Sequence, residues 1–391
     1  MKIGIVLSKP PSYSETFFVS KIKGLQRHGH EVILFVQSGE EAFDLCTVNT
    51  ALPIYRRNIV KQLYYVLKVF LLFIRHFQVC LRFMQTERVY GTGWIGVIKK
   101  VYVNMHILTK KLDWLHFGFA TMALGKEHVA KAIKAKMAVS FRGFDMAIYP
   151  IKYPNCYKVL WEQVDKVHTI SNDLYQLALT NGLNSEIPFQ KITPAIDVNN
   201  FNRADADHQK SSDTIKIMTV ARLHWKKGLT YTLQALKLLK DKGIDFQYTI
   251  IGEGTEYEKL MYIRYQLGLE KEVQLIGKVP HSTIKELLVA HDIYVQYSIS
   301  EGFCNAVIEA QAMGLLCVVS DAEGLSENVL HNKSGWVVPK RSPEKLATKI
   351  AEIIELEKNL KKKITDFAMD RVKKEFNLKK QQQEFVTFYT E

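Results

Sequence analysis

The stretch IYVQYSISEGFCNAVIEAQAMGLLCVV, residues 293–319, decides the fold. An apolar run at 293–296 leads through Gly302 into a helical pattern that starts near Asn305. Gly314 can end that helix, and a second apolar run follows at 316–319. Runs apolar on both faces suit strands covered on both sides. A helix between two of them makes a right-handed βαβ unit of a parallel sheet.

The same alternation extends outward in both directions. Apolar runs recur at 3–7, 32–36, 114–116, 138–141 and 167–170, then at 215–220, 247–251 and 273–276, with helical patterns between them. Two such series predict an α/β protein of two doubly wound, Rossmann-like domains. The length agrees, because 391 residues exceed the ~250–300 that one core supports. Residues 202–213, NRADADHQKSSD, are the most polar segment without periodicity and read as a linker. The domains are then 1–201 and 214–391. A charged Lys/Glu-rich helical region, 342–379, closes the second, and a terminal helix crosses back. Ligands of such sheets bind beyond the carboxyl ends of the strands, so two facing domains predict a site in a deep cleft between them.

Composition excludes several classes. With 47% hydrophobic and 24% charged residues the chain is an ordinary globular one, and 21 Gly and 10 Pro exclude a collagen-like or low-complexity protein. The net charge of +13 is regional. Residues 55–111 hold eleven Lys or Arg and a single acid, Glu87, which is a surplus of ten. Such a surplus fits nucleic acid, an anionic membrane face or phosphorylated ligands. Five cysteines without a C-x-x-C spacing read as reduced core residues of a cytosolic protein. The apolar run at 3–7 is too short for a signal peptide, and no uncharged stretch of ~18 residues predicts a membrane span.

Within the basic region, residues 61–83 read as one helix, largely apolar and aromatic, in which Lys61, Lys68, Arg75 and Arg82 recur every seven residues. That spacing drifts only ~20° per repeat and draws one basic stripe. An apolar helix with a basic stripe fits an anionic membrane surface. It also fits a half-buried helix with a basic solvent edge.

Three segments carry candidate chemistry. Glu301 stands just before the helix that follows 293–296. Gly302, Phe303, Cys304 and Asn305 would offer free amides to an anion there. Glu309 is the only charge between Gly302 and Ser320. A carboxylate in so apolar a stretch needs polar partners, which sugar or ribose hydroxyls can supply, as can backbone or a lysine. After the run 215–220 come Arg222 and Lys227, a guanidinium fork and a point charge suited to a diphosphate, or else a solvated cationic loop. Gly252, Glu253 and Gly254 supply a tight turn after the next strand.

Taken together, Arg222…Lys227-Gly228, Gly252-Glu253-Gly254, Glu301 and Glu309 with seven residues between them, and Gly324…Glu327 resemble the successive motifs of family 4 retaining glycosyltransferases with the GT-B fold. In the first half, Ser14-Glu15-Thr16-Phe17, Gly29-His30-Glu31-Val32, Asp113…His116, Arg142-Gly143-Phe144-Asp145 and Pro194…Asp197…Phe201 resemble members that build exopolysaccharides of the colanic acid or amylovoran type. The match spans about residues 3–340.

The resemblance implies roles. Arg222 and Lys227 hold the donor diphosphate, and Glu309 binds the ribose. Glu301, with the amides of Gly302 to Asn305, contacts the donor sugar and phosphate, while residues around Lys278 and Val279 line the base and Gly252 and Glu253 belong to the same donor site. His116 is a catalytic candidate beside Glu301, or else a buried structural histidine, and Ser14, Glu15, Arg142 and Asp145 are acceptor candidates. No metal and no cofactor is expected, since cations and helix amides neutralise the leaving diphosphate. The implied partners are a UDP- or GDP-linked sugar, a saccharide or lipid-linked acceptor, and the inner face of the plasma membrane. No nucleic acid is expected.

The chain departs from the family pattern on the acceptor side. Members often carry H-x-H-F where this chain has His116-Phe117-Gly118-Phe119, and His-Gly-x-Asp where it has Arg142-Gly143-Phe144-Asp145. Pro10-Pro11-Ser12-Tyr13-Ser14 replaces a glycine-rich loop. Two other motifs are decoys. Gly91-Thr92-Gly93-Trp94-Ile95-Gly96 matches a dinucleotide fingerprint but follows a polar segment where a buried strand is required. Asp205-Ala206-Asp207 resembles a metal-binding D-x-D but lies in the linker. A nucleotide-sugar epimerase of the same fold, or a nucleic-acid-binding protein using the basic region, are the competing functions.

Overall fold

In the computed structural model residues 1–11, 16–38, 43–201 and 214–391 are described. The chain forms two compact units. The first comprises Met1–Ile192 with Gln382–Glu391, and the second Thr193–Gln381. The polar segment 202–213 lies outside the described residues.

The first unit holds a seven-stranded sheet of β1 (Lys2–Leu7), β2 (Glu31–Val36), β3 (Thr47–Thr50), β4 (Trp114–Phe117), β5 (Lys136–Phe141), β6 (Lys166–Thr169) and β7 (Phe189–Lys191), in the order β3-β2-β1-β4-β5-β6-β7. The second holds β8 (Ile215–Val220), β9 (Phe246–Ile251), β10 (Val273–Gly277), β11 (Ile293–Gln296), β12 (Leu316–Ser320) and β13 (Trp336–Val338), in the order β10-β9-β8-β11-β12-β13. All these pairings are parallel. The order in which strands are added reverses once in each sheet, between β1 and β4 or between β8 and β11. Those are the switch points where doubly wound sheets bind ligands. The two-sheet α/β expectation holds.

The apolar runs are the buried strands, for the reason that made them legible: helices cover both faces. Ile3, Ile5, Leu34 and Ala138 pack in the first core with Phe385 and Phe388 of the closing helix Leu378–Thr390. Ile217, Tyr248, Ile293 and Val318 pack in the second with Leu233, Ile350 and Ile353. Three strands escaped the reading: β3, β7 and β13. Each is an edge strand of three or four residues; β3 and β7 are partly exposed and mostly polar, while β13 is apolar but only three residues long, too short to stand out as a run.

The single helix expected over 61–83 is corrected to two, Ile59–Arg75 and Phe77–Val89. Between them the backbone of His76 leaves the helical region, at φ −115° and ψ 32°. The first helix buries none of its residues, whereas the second turns Cys80, Phe83 and Glu87 inward. The basic stripe therefore ends at Arg75. Arg82 lies on the second helix, where its Nε donates to the Ala132 carbonyl at 3.0 Å. Among the described residues no helix is long and apolar enough to cross a membrane.

Candidate active site

At the carboxyl ends of the second sheet, backbone bonds continue past the strands and tie the loops together. Ala221 donates to the Ile251 carbonyl at 2.9 Å, Leu223 to Glu253 at 2.9 Å, and Gly252 to Gly277 at 2.8 Å. The amide of Ile299 donates to the Lys226 carbonyl at 2.6 Å, which joins the loop after β11 to the loop after β8. Two glycines make this approach possible. A Cβ at Gly252 (φ +137°) would strike the carbonyl oxygen of Ala221, and one at Gly228 (φ +62°) that of Tyr297.

These ties bring Lys227 and Glu301 together as a half-buried ion pair, Nζ to Oε2. Burial alone would lower the Lys227 pKa. The Glu301 carboxylate outweighs it and holds the ammonium above its ordinary value, with Arg222 opposing. The backbone of Glu301 is fixed as well, because its amide donates to the Glu323 carboxylate at 2.6 Å and its carbonyl accepts from Gly324 at 2.9 Å. Arg222 is exposed at the same edge. Lys278, after β10, is exposed and stands 3.6 Å from the exposed Glu253 carboxylate.

The helix Asn305–Ala312 begins beside this pair, as the sequence indicates. The expectation of free amides from Gly302 to Asn305 needs one correction. The Cys304 amide is spent on Asn328 Oδ1 at 2.9 Å, and Asn328 Nδ2 returns a bond to the Cys304 carbonyl at 3.1 Å. The side chains of Phe303 and Cys304 are buried; Phe303 packs on Phe376, and burial pushes the Cys304 thiol up to about 12. Arg371 completes the support by donating to the carbonyls of Asn328 and Glu327, each at 2.7 Å. One turn into the helix, Glu309 Oε1 lies 3.2 Å from His281 Nε2. The partner of this carboxylate is thus a histidine, not the backbone or lysine weighed above.

In the first unit His116 is fully buried on β4 and does not lie at an open site, contrary to the catalytic expectation. It sits in a chain of hydrogen bonds. His168 Nε2 faces the Ile192 carbonyl at 3.0 Å, and a carbonyl only accepts, so His168 Nδ1 must accept from Ser140 at 2.7 Å. The Ser140 oxygen then accepts from His116 Nε2 at 2.7 Å, which leaves His116 Nδ1 to accept from the Tyr389 hydroxyl at 2.6 Å. Both rings must be neutral for this pattern. Burial supplies that condition, holding His168 at about 3 and His116 well below the usual range. Lys21 Nζ lies 3.2 Å from His116 Nδ1, and burial together with Arg142 lowers its pKa.

Asp145 is also corrected. It is 1% exposed, and its carboxylate accepts from the Thr121 amide at 3.1 Å, the Thr121 hydroxyl at 2.9 Å and the Arg142 amide at 3.2 Å. It caps the short helix Gly143–Ala147 rather than meeting an acceptor. The half-buried Arg142 guanidinium lies over the rings of Phe17, Phe18 and Phe119 at 4.4, 5.2 and 5.5 Å. Ser14 and Glu15 lie outside the described residues.

Asn328, Glu323, Arg371 and His281 were not legible as site residues. Each acts through a partner brought near only by the fold, and none stands in a spacing that the motifs specify.

Comparison with known proteins points to glycosyltransferases. Residues 200–370 match the family described as Glycosyl transferases group 1. Over 96% of both chains the sequence is 28% identical to WcaL of Escherichia coli (strain K12), a protein named as a candidate colanic acid biosynthesis glycosyltransferase. It is 32% identical to the amylovoran biosynthesis glycosyltransferase AmsK of Erwinia amylovora, over 60% of this chain and 58% of that one. The fold is shared with Anabaena Alr3699/HepE in complex with UDP and glucose (TM-score 0.71, 17% identity, 99% of this chain and 98% of that one). A glycosyltransferase from Rickettsia africae is equally similar in fold (TM-score 0.71, 20% identity, 99% and 97%). Residues 200–370 are thus similar to a group 1 glycosyltransferase domain, and the chain shares the GT-B fold of these glycosyltransferases. The epimerase and nucleic-acid readings gain no support from these relatives.

Proposed function

We propose that the chain transfers a sugar from a UDP- or GDP-linked donor to a saccharide or lipid-linked saccharide in cell-surface polysaccharide assembly, with retention at the anomeric carbon and without a resident metal. The observation that carries this reading is the Lys227–Glu301 ion pair, set at the carboxyl ends of β8 and β11 with Arg222 near enough to act on it. The two cations bind the diphosphate and stabilise it as it leaves. Glu301 and Gly302 face the donor sugar, and Glu309 receives the ribose hydroxyls. The acceptor hydroxyl attacks the anomeric carbon from the face that the diphosphate leaves, within an ion pair. The bond to the diphosphate breaks with its electrons, and the hydroxyl proton passes to the departing phosphate oxygen. Arg142, Ser14 and Glu15 serve the acceptor. A thermal-shift panel of UDP, GDP, ADP and their sugar conjugates, with and without EDTA, tests this. Stabilisation by one nucleotide that persists in EDTA is expected, and no shift with any nucleotide would defeat the proposal. Glu309→Ala is expected to weaken binding of that nucleotide about tenfold.

The helix Ile59–Arg75 supports work at an anionic membrane surface. At ~100° per residue, Ile59, Leu63, Phe70, Ile74, Leu67, Val60, Leu71 and Tyr64 fill one arc of about 140°, and all are exposed. Lys61, Lys68 and Arg75 follow as a stripe along one border of that arc. Trp94, Ile95 and Ile98 add an exposed apolar edge on the helix Trp94–Leu108. An apolar face bordered by cations gains from acyl burial and from lipid charge together. Co-sedimentation with phosphatidylglycerol-containing vesicles is expected to exceed that with neutral phosphatidylcholine vesicles. Lys61, Lys68 and Arg75 changed to Gln should abolish that preference; equal binding of wild type to both vesicles would refute it.

A further inference from the structure

We propose that His281 is a positioning residue for the nucleotide site: it holds the Glu309 carboxylate by one oxygen, so that the other edge faces the ribose diol. This rests on the reading of Glu309 as the ribose ligand. The geometry on which it stands is local to the second unit. His281 opens the helix His281–Val289, directly after Pro280 in the loop that leaves β10. Its Nε2 lies 3.2 Å from Glu309 Oε1, and its ring stands edge-on to Phe201, with centroids 5.3 Å apart and planes at 72°. Phe201 is itself buried. The imidazole is therefore steered from one side by an aromatic edge and from the other by the carboxylate.

A carboxylate offers about four acceptor positions on its two oxygens. One donor on Oε1 leaves enough of them for two ribose hydroxyls. Without that donor the carboxylate can turn about its last torsion, which is broad, and the diol must then order it on binding. Glu309 comes from the helix Asn305–Ala312, which carries no other charge, so nothing else on its own element competes for it. Among the described residues, Glu309 is the charged group across from His281, Phe201 contributes no charge, and Lys285 and Glu286 follow on its own helix.

The pairing also sets a direction with pH. The hydrogen bond that His281 donates to Glu309 raises the His281 pKa above its ordinary value, burial opposes, and the carboxylate's charge adds to the rise. Below that raised pKa the imidazolium is present and the carboxylate is held in place. Above it the charge is lost and the hold weakens. Donor affinity should therefore fall as pH rises through a value above the usual ~6.5 of histidine.

The test uses the full chain and whichever of UDP-glucose or GDP-mannose the nucleotide panel selects. The diphosphate of such a conjugate is a diester and does not titrate over the same range. Affinity is measured calorimetrically from pH 5.5 to 8.5 for wild type, His281→Gln, His281→Leu and Glu309→Ala. Wild type should lose affinity across the range by about three- to tenfold, the net scale of one hydrogen bond. His281→Gln keeps a donor but cannot titrate, so its profile should be flat. His281→Leu should be flat and weak throughout. A pH profile in His281→Gln that matches wild type, or a His281→Leu variant as tight as wild type, overturns the role of His281 when Glu309→Ala is weak. If Glu309→Ala binds as tightly as wild type, it is the ribose role of Glu309 that fails.

Discussion

Lys227→Ala should lower kcat/KM for sugar transfer by about 10²–10³-fold, the loss seen when one preorganised group that stabilises departing charge is removed. The substitution acts in two ways. It removes a point charge from the diphosphate, and it leaves the half-buried Glu301 carboxylate without its cation, beside a donor that is itself anionic. Lys227→Arg should recover part of the loss, because the charge returns on a longer and planar group that does not reproduce the ammonium contact. Steady-state kinetics with the selected nucleotide sugar, together with a far-UV spectrum of the variant, provide the check. An unimpaired Lys227→Ala enzyme would remove the ion pair from the mechanism. Because the loops after β8 and β11 are joined through Ile299 and Lys226, the spectrum must also be unchanged for a loss to count as catalytic.

The second large effect falls on stability and on the first unit. Glu87, the one acid in the basic region, is fully buried and accepts from Lys100 Nζ at 2.7 Å, Thr92 Oγ1 at 2.8 Å and His128 Nδ1 at 2.9 Å. Burial alone would raise its pKa, but the bonds from His128, Lys100 and Thr92 outweigh it and hold the carboxyl at about 2. Glu87→Ala strands these donors and should cost about 3 kcal/mol, the low end for a broken buried pair, since Lys100 keeps some contact with water. The folded pKa lies below the ordinary carboxylate value of ~4.3. The stabilisation is therefore complete above about pH 5 and is lost as pH falls toward 2. Urea midpoints of wild type and Glu87→Gln should converge over that window. A constant gap down to pH 2 would contradict the assignment.

This cluster shows where sequence reading stops. Glu87 was visible as an anomaly of charge, but its partners lie on another helix and in a loop, at separations that carry no period. The same holds for the proposed donor site. Arg222, Lys227, Glu301 and Glu309 were legible because each follows a strand end or stands on a helix whose spacing is fixed locally. Their supports, Asn328 for Cys304 and His281 for Glu309, come from elements remote in sequence. His116 and Asp145 mark the reverse error. Polar residues in a motif look available for chemistry, yet a buried hydrogen-bond chain and a helix cap need the same residue types.

The sequence by itself determined the two parallel sheets, since strands covered on both faces must be apolar throughout, and the strand ends on which a donor diphosphate would sit. It also determined the regional charge and the apolar, basic-striped character of residues 61–83. Only the tertiary structure decided that the helix breaks at His76, so that the stripe ends with Arg75, and that His116 and Asp145 are turned inward. It alone decided which partner each buried polar group finds. Periodicity reports which face of an element is buried; it does not report which side chain waits on the other side of the contact.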